Sequence, residues 1–141
     1  MKIGFTGTQN GMTIPQQKKL DEILEDEIFL FEELEFHHGD CIGADDQAGN
    51  LAIELGYTIV THPPTNESKR AFADYDIELP RKPYLERNHD IVNQTDHLIA
   101  APKEMDEQVR SGTWATIRYA EKKNKPLTII FPDGSTIERK A

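Results

Sequence analysis

Apolar positions along this chain alternate between two regimes: short continuous runs, and longer stretches where they recur at helical spacing. Residues 2–5 form the first run and predict a strand leading into a turn over 6–12. Thr13 then reads as an N-cap, with Pro15 in the first turn and Gln16 three residues on, the pattern of a capping box. Leu20, Ile23, Leu24, Ile28 and Phe31 place one apolar stripe on the helix that follows. Residues 35–38 predict the second strand. Ala44, Ala48, Leu51, Ala52 and Leu55 predict a helix that stops at Gly56. Residues 57–61 are the third strand, closed by His62-Pro63-Pro64. From 65 to 82 the chain is polar with no sustained period, and a loop this long in a small domain is usually functional or mobile. A helix over 84–94, a strand over 96–100, a polar loop over 101–110, a helix from Ser111 to about Lys123 and a strand over 127–131 follow. The tail after the Pro132-Asp133-Gly134 turn either adds a short edge strand or frays.

Strands and helices thus alternate five times. That order predicts a single α/β domain over 1–141, with about five mainly parallel strands and helices on both faces, a three-layer arrangement. In such sheets a ligand sits beyond the carboxyl ends of the strands, where the strand order reverses. The loops 6–11, 38–45 and 101–113 therefore converge on one cleft. Each carries glycine or hydroxyl residues, and a helix start with free N–H groups favours an anion. A small anionic ligand of nucleotide type is the expectation.

Composition narrows the partners. The chain has 141 residues and a formal net charge of −9, from 25 acidic and 16 basic side chains. A long-range negative field disfavours non-specific binding to nucleic acid or to an anionic membrane. The acid is uneven: residues 21–35 hold eight carboxylates and no Lys or Arg. Lys69, Arg70, Arg81, Lys82, Arg87, Lys103 and Arg110 leave the middle of the chain more basic, so a positive pocket remains compatible with the overall charge. The lone Cys41 rules out an internal disulfide and fits a reducing compartment. No apolar run reaches membrane-spanning length, and the first residues enter a strand without a signal-type apolar segment. A cytoplasmic location is the expectation.

Several short motifs, in order, resemble the SLOG superfamily. They are Gly4-Phe5-Thr6-Gly7-Thr8, His38-Gly39-Asp40-Cys41-Ile42-Gly43-Ala44-Asp45, Arg87-Asn88, the run from Asp96 to Pro102, and Ser111-Gly112-Thr113. The YspA-like branch is the most similar, with its HGGxxGAD turn, an RN pair before a helix and a GT-type helix start. The superfamily includes the Lonely guy (LOG) phosphoribohydrolases, the DNA-processing protein A family and ligand-sensing domains of bacterial defence systems. The resemblance implies a Rossmann-like fold that binds nucleotides or nucleotide-derived ligands. It also implies a homo-oligomer, because such domains often associate. One departure bears on activity. The LOG motif PGGxGTxxE supplies a catalytic glutamate, and Thr116 stands at the matching position here, with Arg110 and Ser111 in place of glycines. A threonine is no carboxylate base at neutral pH, so LOG-type N-glycosidic hydrolysis is not the leading expectation.

Candidate ligand-binding residues follow from both readings. Gly7, Thr8 and Gln9 offer backbone N–H and hydroxyl groups to phosphate or ribose. Gly39, Gly43 and Ala44 offer backbone amides, and Asp40 a carboxylate for a ribose hydroxyl or base edge. Asp45 reads instead as a helix-start carboxylate that satisfies N–H groups. Arg87 can fork around phosphate oxygens, against the plainer reading of a surface ion pair with Glu86 or Asp90. Asn88 binds ligand or holds the loop. Pro102 lines the loop after the fourth predicted strand. Ser111, Gly112 and Thr113 open a helix, where Ser111 can also be a plain N-cap. Trp114 walls the pocket or packs, and Lys69, Arg70, Arg81 and Lys82 form a lid or are simply solvated. His37 and His38 alternate across a strand. With Cys41 and His62 they lack a metal spacing, so neither metal nor cofactor is expected. Three readings remain: a binding module that senses or sequesters a nucleotide-type ligand, a phosphoribohydrolase using Asp40 or Glu86, and, third, a single-stranded DNA binder.

Overall fold

A computed structural model describes residues 1–140. The chain runs β1 (Lys2–Gly7), α1 (Ile14–Leu30), β2 (Glu35–His38), α2 (Ala44–Glu54), β3 (Thr58–Thr61), β4 (Ile77–Glu78), α3 (Tyr84–Gln94), β5 (His97–Ala101), α4 (Gly112–Lys122), β6 (Leu127–Ile130) and β7 (Thr136–Arg139). One sheet holds the strands in the order β4-β3-β2-β1-β5-β6-β7. All neighbours pair parallel except β6 with β7, which is antiparallel.

The two strands beyond the five predicted are the two edges. β4 is a two-residue piece of the long polar segment, too short to carry a period. β7 is the tail, folded back through a turn in which Ser135 N–H donates to the Asp133 carboxylate at 2.9 Å and Phe131 N–H donates to Ser135 O at 2.8 Å. Short, exposed edges of this kind leave little flat strand for another chain to pair with.

Strand alternation sorts the core into two layers. Ile3, Phe5, Phe36, Ile59, Ile99 and Ala101 face α1 and α2, meeting Leu20, Leu24, Ala44, Ala48 and Ala52. Leu98, Ala100, Leu127 and Ile129 face α3 and α4, meeting Ile91, Val92, Trp114, Ile117 and Ala120. This is a three-layer, Rossmann-like sandwich, and β5 at the sheet centre is apolar on both sides for that reason. The capping box at α1 forms as expected: Gln16 N–H donates to Thr13 Oγ1 at 3.2 Å, and Thr13 N–H to Gln16 Oε1 at 3.0 Å. From β1 the chain steps to β2 on one side, and from β5 to β6 on the other. The order therefore reverses between β1 and β5, and a crevice opens above their carboxyl ends.

No helix among the described residues is long and apolar enough to cross a membrane.

Candidate functional site

The crevice encloses about 590 Å³. Its floor is the end of β1, from Phe5 to Asn10. One flank is the β2–α2 turn, with Gly39, Cys41 and Asp45. The roof includes Tyr84, Arg87, Asn88 and Ile91 of α3. The other flank is the β5–α4 loop, with Lys103, Glu104, Gln108, Arg110, Ser111, Gly112 and Thr113. Nine predicted residues thus line one cavity: Gly7, Thr8, Gln9, Gly39, Arg87, Asn88, Ser111, Gly112 and Thr113.

Four predicted residues do not line it, and each has a structural reason. Asp40 is buried and turned toward the 65–82 segment. Its Oδ2 accepts from Arg70 Nε at 2.7 Å, and its Oδ1 from Ala73 N–H at 2.8 Å. Gly43 has φ +86, and a Cβ there would stand 2.3 Å from Gln9 O. Glycine is needed at that point because two loops touch, not because a ligand approaches. Ala44 is in the core, and its N–H donates to Thr8 O at 2.9 Å. Pro102 is buried beneath the loop, its carbonyl accepting from Gln16 Nε2 at 2.8 Å.

The two flanks differ in their backbone donors. In the β2–α2 turn, Gly39 and Cys41 N–H donate to Asp45 Oδ2 at 3.1 and 3.2 Å. Asp40 N–H donates to His38 Nδ1 at 2.9 Å, and Ile42 N–H to Lys69 O at 2.9 Å. With Ala44 also engaged, this turn has few N–H groups to offer. The first turn of α2 also carries Asp45 and Asp46, which repel an anion. At α4 the reverse holds. Ser111 Oγ accepts from Trp114 N–H at 3.2 Å, while the N–H groups of Arg110, Ser111, Gly112 and Thr113 have no acceptor among the described residues. A Cβ on Gly112 would meet nothing within 4 Å, so the space before the helix is open. Lys103 and Arg110 stand beside it.

Arg87 is buried rather than a surface ion pair. Its Nη1 donates to Gly39 O and, at 3.1 Å, to His62 O, and its Nε donates to Asn88 Oδ1 at 2.8 Å. The guanidinium therefore ties the ends of β2 and β3 to α3. Asn88 holds it in place. Gly39 is glycine because a Cβ would stand 2.5 Å from Arg87 Nη1.

Asp45 is the residue whose role the sequence understated. It satisfies N–H groups as expected, but those of the preceding turn rather than of its helix, and it lines the crevice. Burial pushes its carboxyl up to about 6, against the pull of Arg87 and of the two N–H donors. The signal that could have found it is the spacing: a carboxylate six residues after Gly39 can fold back over that glycine.

The remaining polar residues lie elsewhere. His38 faces α2, fully buried and pushed down to about 4 by desolvation. His37 points to the other face, as strand alternation requires, with its Nδ1 2.8 Å from His62 Nε2 and its Nε2 2.8 Å from Glu35 Oε1. Desolvation, with His37 adjacent, pushes His62 down to about 3. Burial raises the Cys41 thiol above its ordinary value. Trp114 packs near Phe131, and its Nε1–H donates to Glu104 Oε1 at 3.1 Å, tying down the β5–α4 loop. The basic residues of the 65–82 segment form no lid. Arg70 pairs with Asp40, Arg81 with Glu67, and Lys82 with Asp90, and none of them lines the crevice. Thr116 turns its hydroxyl back to Gly112 O at 2.9 Å. No group of three His, Cys, Asp or Glu among the described residues is arranged to hold a metal.

No family model matches the chain, and no curated protein matches it. Solved structures do. A molybdenum cofactor binding protein from the phototrophic bacterium Rippkaea orientalis superposes with a TM-score of 0.69 at 22% identity, over 92% of this chain and 76% of that one. The molybdenum cofactor carrier protein of Chlamydomonas reinhardtii gives 0.64 at 21% identity, over 91% and 74%. DNA processing protein A from Helicobacter pylori, whose single-stranded DNA binding mode was described, gives 0.59 at 19% identity, over 92% and 64%. At such identities the shared property is the fold, a Rossmann-like sandwich.

Proposed function

We propose that the crevice binds a nucleotide or nucleotide-derived small ligand, which the protein senses or sequesters, and that the chain is a SLOG-type domain of the YspA-like branch. One observation carries this reading: the start of α4 presents unpaired N–H groups into a roomy cavity beside Lys103 and Arg110. Phosphate at a helix N-terminus gains from the N–H groups and the helix dipole together. Three basic side chains line the cavity (Lys103, Arg87, Arg110) against two acidic ones (Asp45, Glu104), so the site departs from the acidic balance of the whole chain. Neighbours of the same fold that bind a molybdenum cofactor support a small-molecule ligand, and they widen the panel worth testing to that cofactor.

Isothermal calorimetry with nucleoside mono-, di- and triphosphates, ADP-ribose derivatives and the molybdenum cofactor tests it. Micromolar binding of a phosphate-bearing compound is the expected result. Absence of heat across the panel would refute it. The hydrolase reading loses both carboxylates first considered for it, since neither Asp40 nor Glu86 lines the crevice. Chromatography of nucleoside monophosphates after incubation is expected to show no free base. Single-stranded DNA binding, despite one neighbour that does it, runs against the net charge of −9, and a gel shift at low salt is expected to stay flat. Residence in the cytoplasm and self-association belong to the same proposal. Sedimentation of the purified chain tests the latter.

A further inference from the structure

Two side-chain atoms on the β2 flank of the crevice have unmet hydrogen-bonding capacity. Asp45 is 6% exposed, and both N–H groups that it accepts go to Oδ2. Its Oδ1 has no partner among the described residues and is not sealed from the cavity. Arg87 is equally buried at 6% exposed, and its hydrogen bonds leave from Nε and Nη1. Its Nη2 is likewise without a partner and unsealed, and Arg87 borders both this crevice and a smaller cavity beside His62, Lys82 and Asp90. Gly39 lies between the two: a Cβ there would stand 2.7 Å from Arg87 Cζ and 3.0 Å from Asp45 Oδ2. An ionised carboxylate only accepts and a guanidinium only donates. A ligand group that meets both atoms must therefore offer a donor and an acceptor.

We infer that Asp45 and Arg87 read the vicinal hydroxyls of a ribose, while the phosphate of the same ligand lies at the start of α4. The inference rests on the nucleotide reading of the crevice. A hydroxyl both donates and accepts, so a cis-diol satisfies Oδ1 and Nη2 together. A phosphate in this place would face the Asp45 charge and find few free N–H groups, since the turn uses most of its own. An apolar group would leave Oδ1 buried and unpaired, which is unfavourable. The α4 flank has the opposite character, with open N–H groups and with the Glu104 carboxylate engaged by Trp114. The two flanks thus sort a ligand by its two ends. Asp45 is a specificity-determining residue on this account.

Calorimetry with the four ribonucleoside 5′-monophosphates, each beside its 2′-deoxy counterpart, and with ribose 5-phosphate tests the inference on the wild type and on Asp45→Asn. In the variant, the Asn carbonyl can keep the Gly39 and Cys41 N–H groups. Its amide then turns a donor toward Arg87, so the fold is retained and the acceptor lost. The wild type is expected to bind the ribo form at least about tenfold more tightly than the deoxy form, the size of one charge-assisted hydrogen bond. Asp45→Asn is expected to reduce that ratio to within about threefold by weakening the ribo form. Equal binding of ribo and deoxy forms by the wild type would overturn the inference and leave ligand binding in the crevice standing. Discrimination retained in Asp45→Asn would overturn it as well. No binding of any of these phosphates would remove the nucleotide reading and the inference together.

Discussion

The two flanks of the crevice look alike in sequence and behave differently in three dimensions. Both are turns with glycine that lead into helices of equal length, α2 and α4. In the β2–α2 turn, the N–H groups of Gly39, Asp40, Cys41, Ile42 and Ala44 all donate inside the protein. In the β5–α4 turn, those of Arg110 to Thr113 do not. Glycine therefore does not mark an anion cradle by itself. What marks one is a helix start whose N–H groups no carboxylate or neighbouring loop has taken. The β2–α2 turn is a packing joint with one carboxylate lining the crevice, and the β5–α4 turn leaves its donors unpaired.

Glycine substitutions break this comparison most directly. Gly43→Ala places a Cβ against Gln9 O at a positive φ that L side chains rarely adopt. A backbone so sparsely populated costs an L-residue about 1–3 kcal/mol by itself, and the contact with rigid backbone raises the expected loss to about 3–4 kcal/mol. Gly112→Ala adds a methyl where nothing lies within 4 Å, and alanine is the better helix former. Its stability is expected to stay within about 0.5 kcal/mol of the wild type or to rise. Urea unfolding of the two variants side by side reads the contrast, and equal losses would erase the distinction between joint and open site.

The charge on Asp45 gives the second effect. Its carboxyl is raised from 3.8 to about 6 in the folded protein, facing Arg87, Asp40 and the N–H groups of Gly39 and Cys41. A raised carboxyl favours the folded state while it is protonated. That contribution is complete below the unfolded value near 4 and is lost as pH rises through about 6. Between pH 7.5 and pH 4, the wild type is expected to gain about 2–3 kcal/mol relative to Asp45→Asn, at about 1.36 kcal/mol per unit. His38, pushed down to about 4, works in the opposite direction, favouring the fold above its unfolded value and losing that as pH falls. Its contribution is common to both proteins and cancels in the difference. A pH-independent difference would show that Asp45 is not held in the folded protein as described.

How far the sequence discloses all this depends on the kind of fact. Strand and helix existence was legible because each layer of the sandwich imposes its own period: Leu20 and Leu24 on α1, and Ala44, Ala48 and Ala52 on α2, recur at helical spacing against one face of the sheet. β4 was not, since Ile77 and Glu78 are both exposed and too few to show a pattern. The gathering of the loops was legible from topology, because parallel strands deliver their carboxyl ends to one edge. Which residue of a loop faces inward was not. Asp40 and Asp45 differ by five positions in one turn, and the side chain of each is assigned by a distant partner. Arg70 draws Asp40 away from the crevice, and Gly39 lets Asp45 fold back into it.

That pair of aspartates supplies the third prediction. Asp40→Asn removes the charge that holds Arg70 and weakens the acceptor for Ala73 N–H. The expected loss is about 1–2 kcal/mol, typical of a hydrogen bond to a charged group. Hydrogen exchange is expected to quicken over 65–82 while the α4 start is unchanged. If exchange quickened equally at 110–114, the two flanks would be coupled rather than separate.

The smallest effect concerns Ser111, for which two roles were open. Its Oγ accepts from Trp114 N–H, an N-cap bond, and loss of such a cap costs about 1 kcal/mol. Ser111→Ala is therefore expected to lower stability by about that amount in urea unfolding. The N–H groups of Gly112 and Thr113 are backbone and survive the change. If they hold the phosphate, affinity for a bound nucleoside monophosphate falls by less than about threefold, under 1 kcal/mol. A hydroxyl that touched the ligand directly would reverse the pattern, because binding would fall about tenfold with stability little altered. Oγ is already engaged with the helix it caps, so the first outcome is the one the geometry supports. On the proposed reading the open flank binds through its backbone, and the serine keeps that backbone in register.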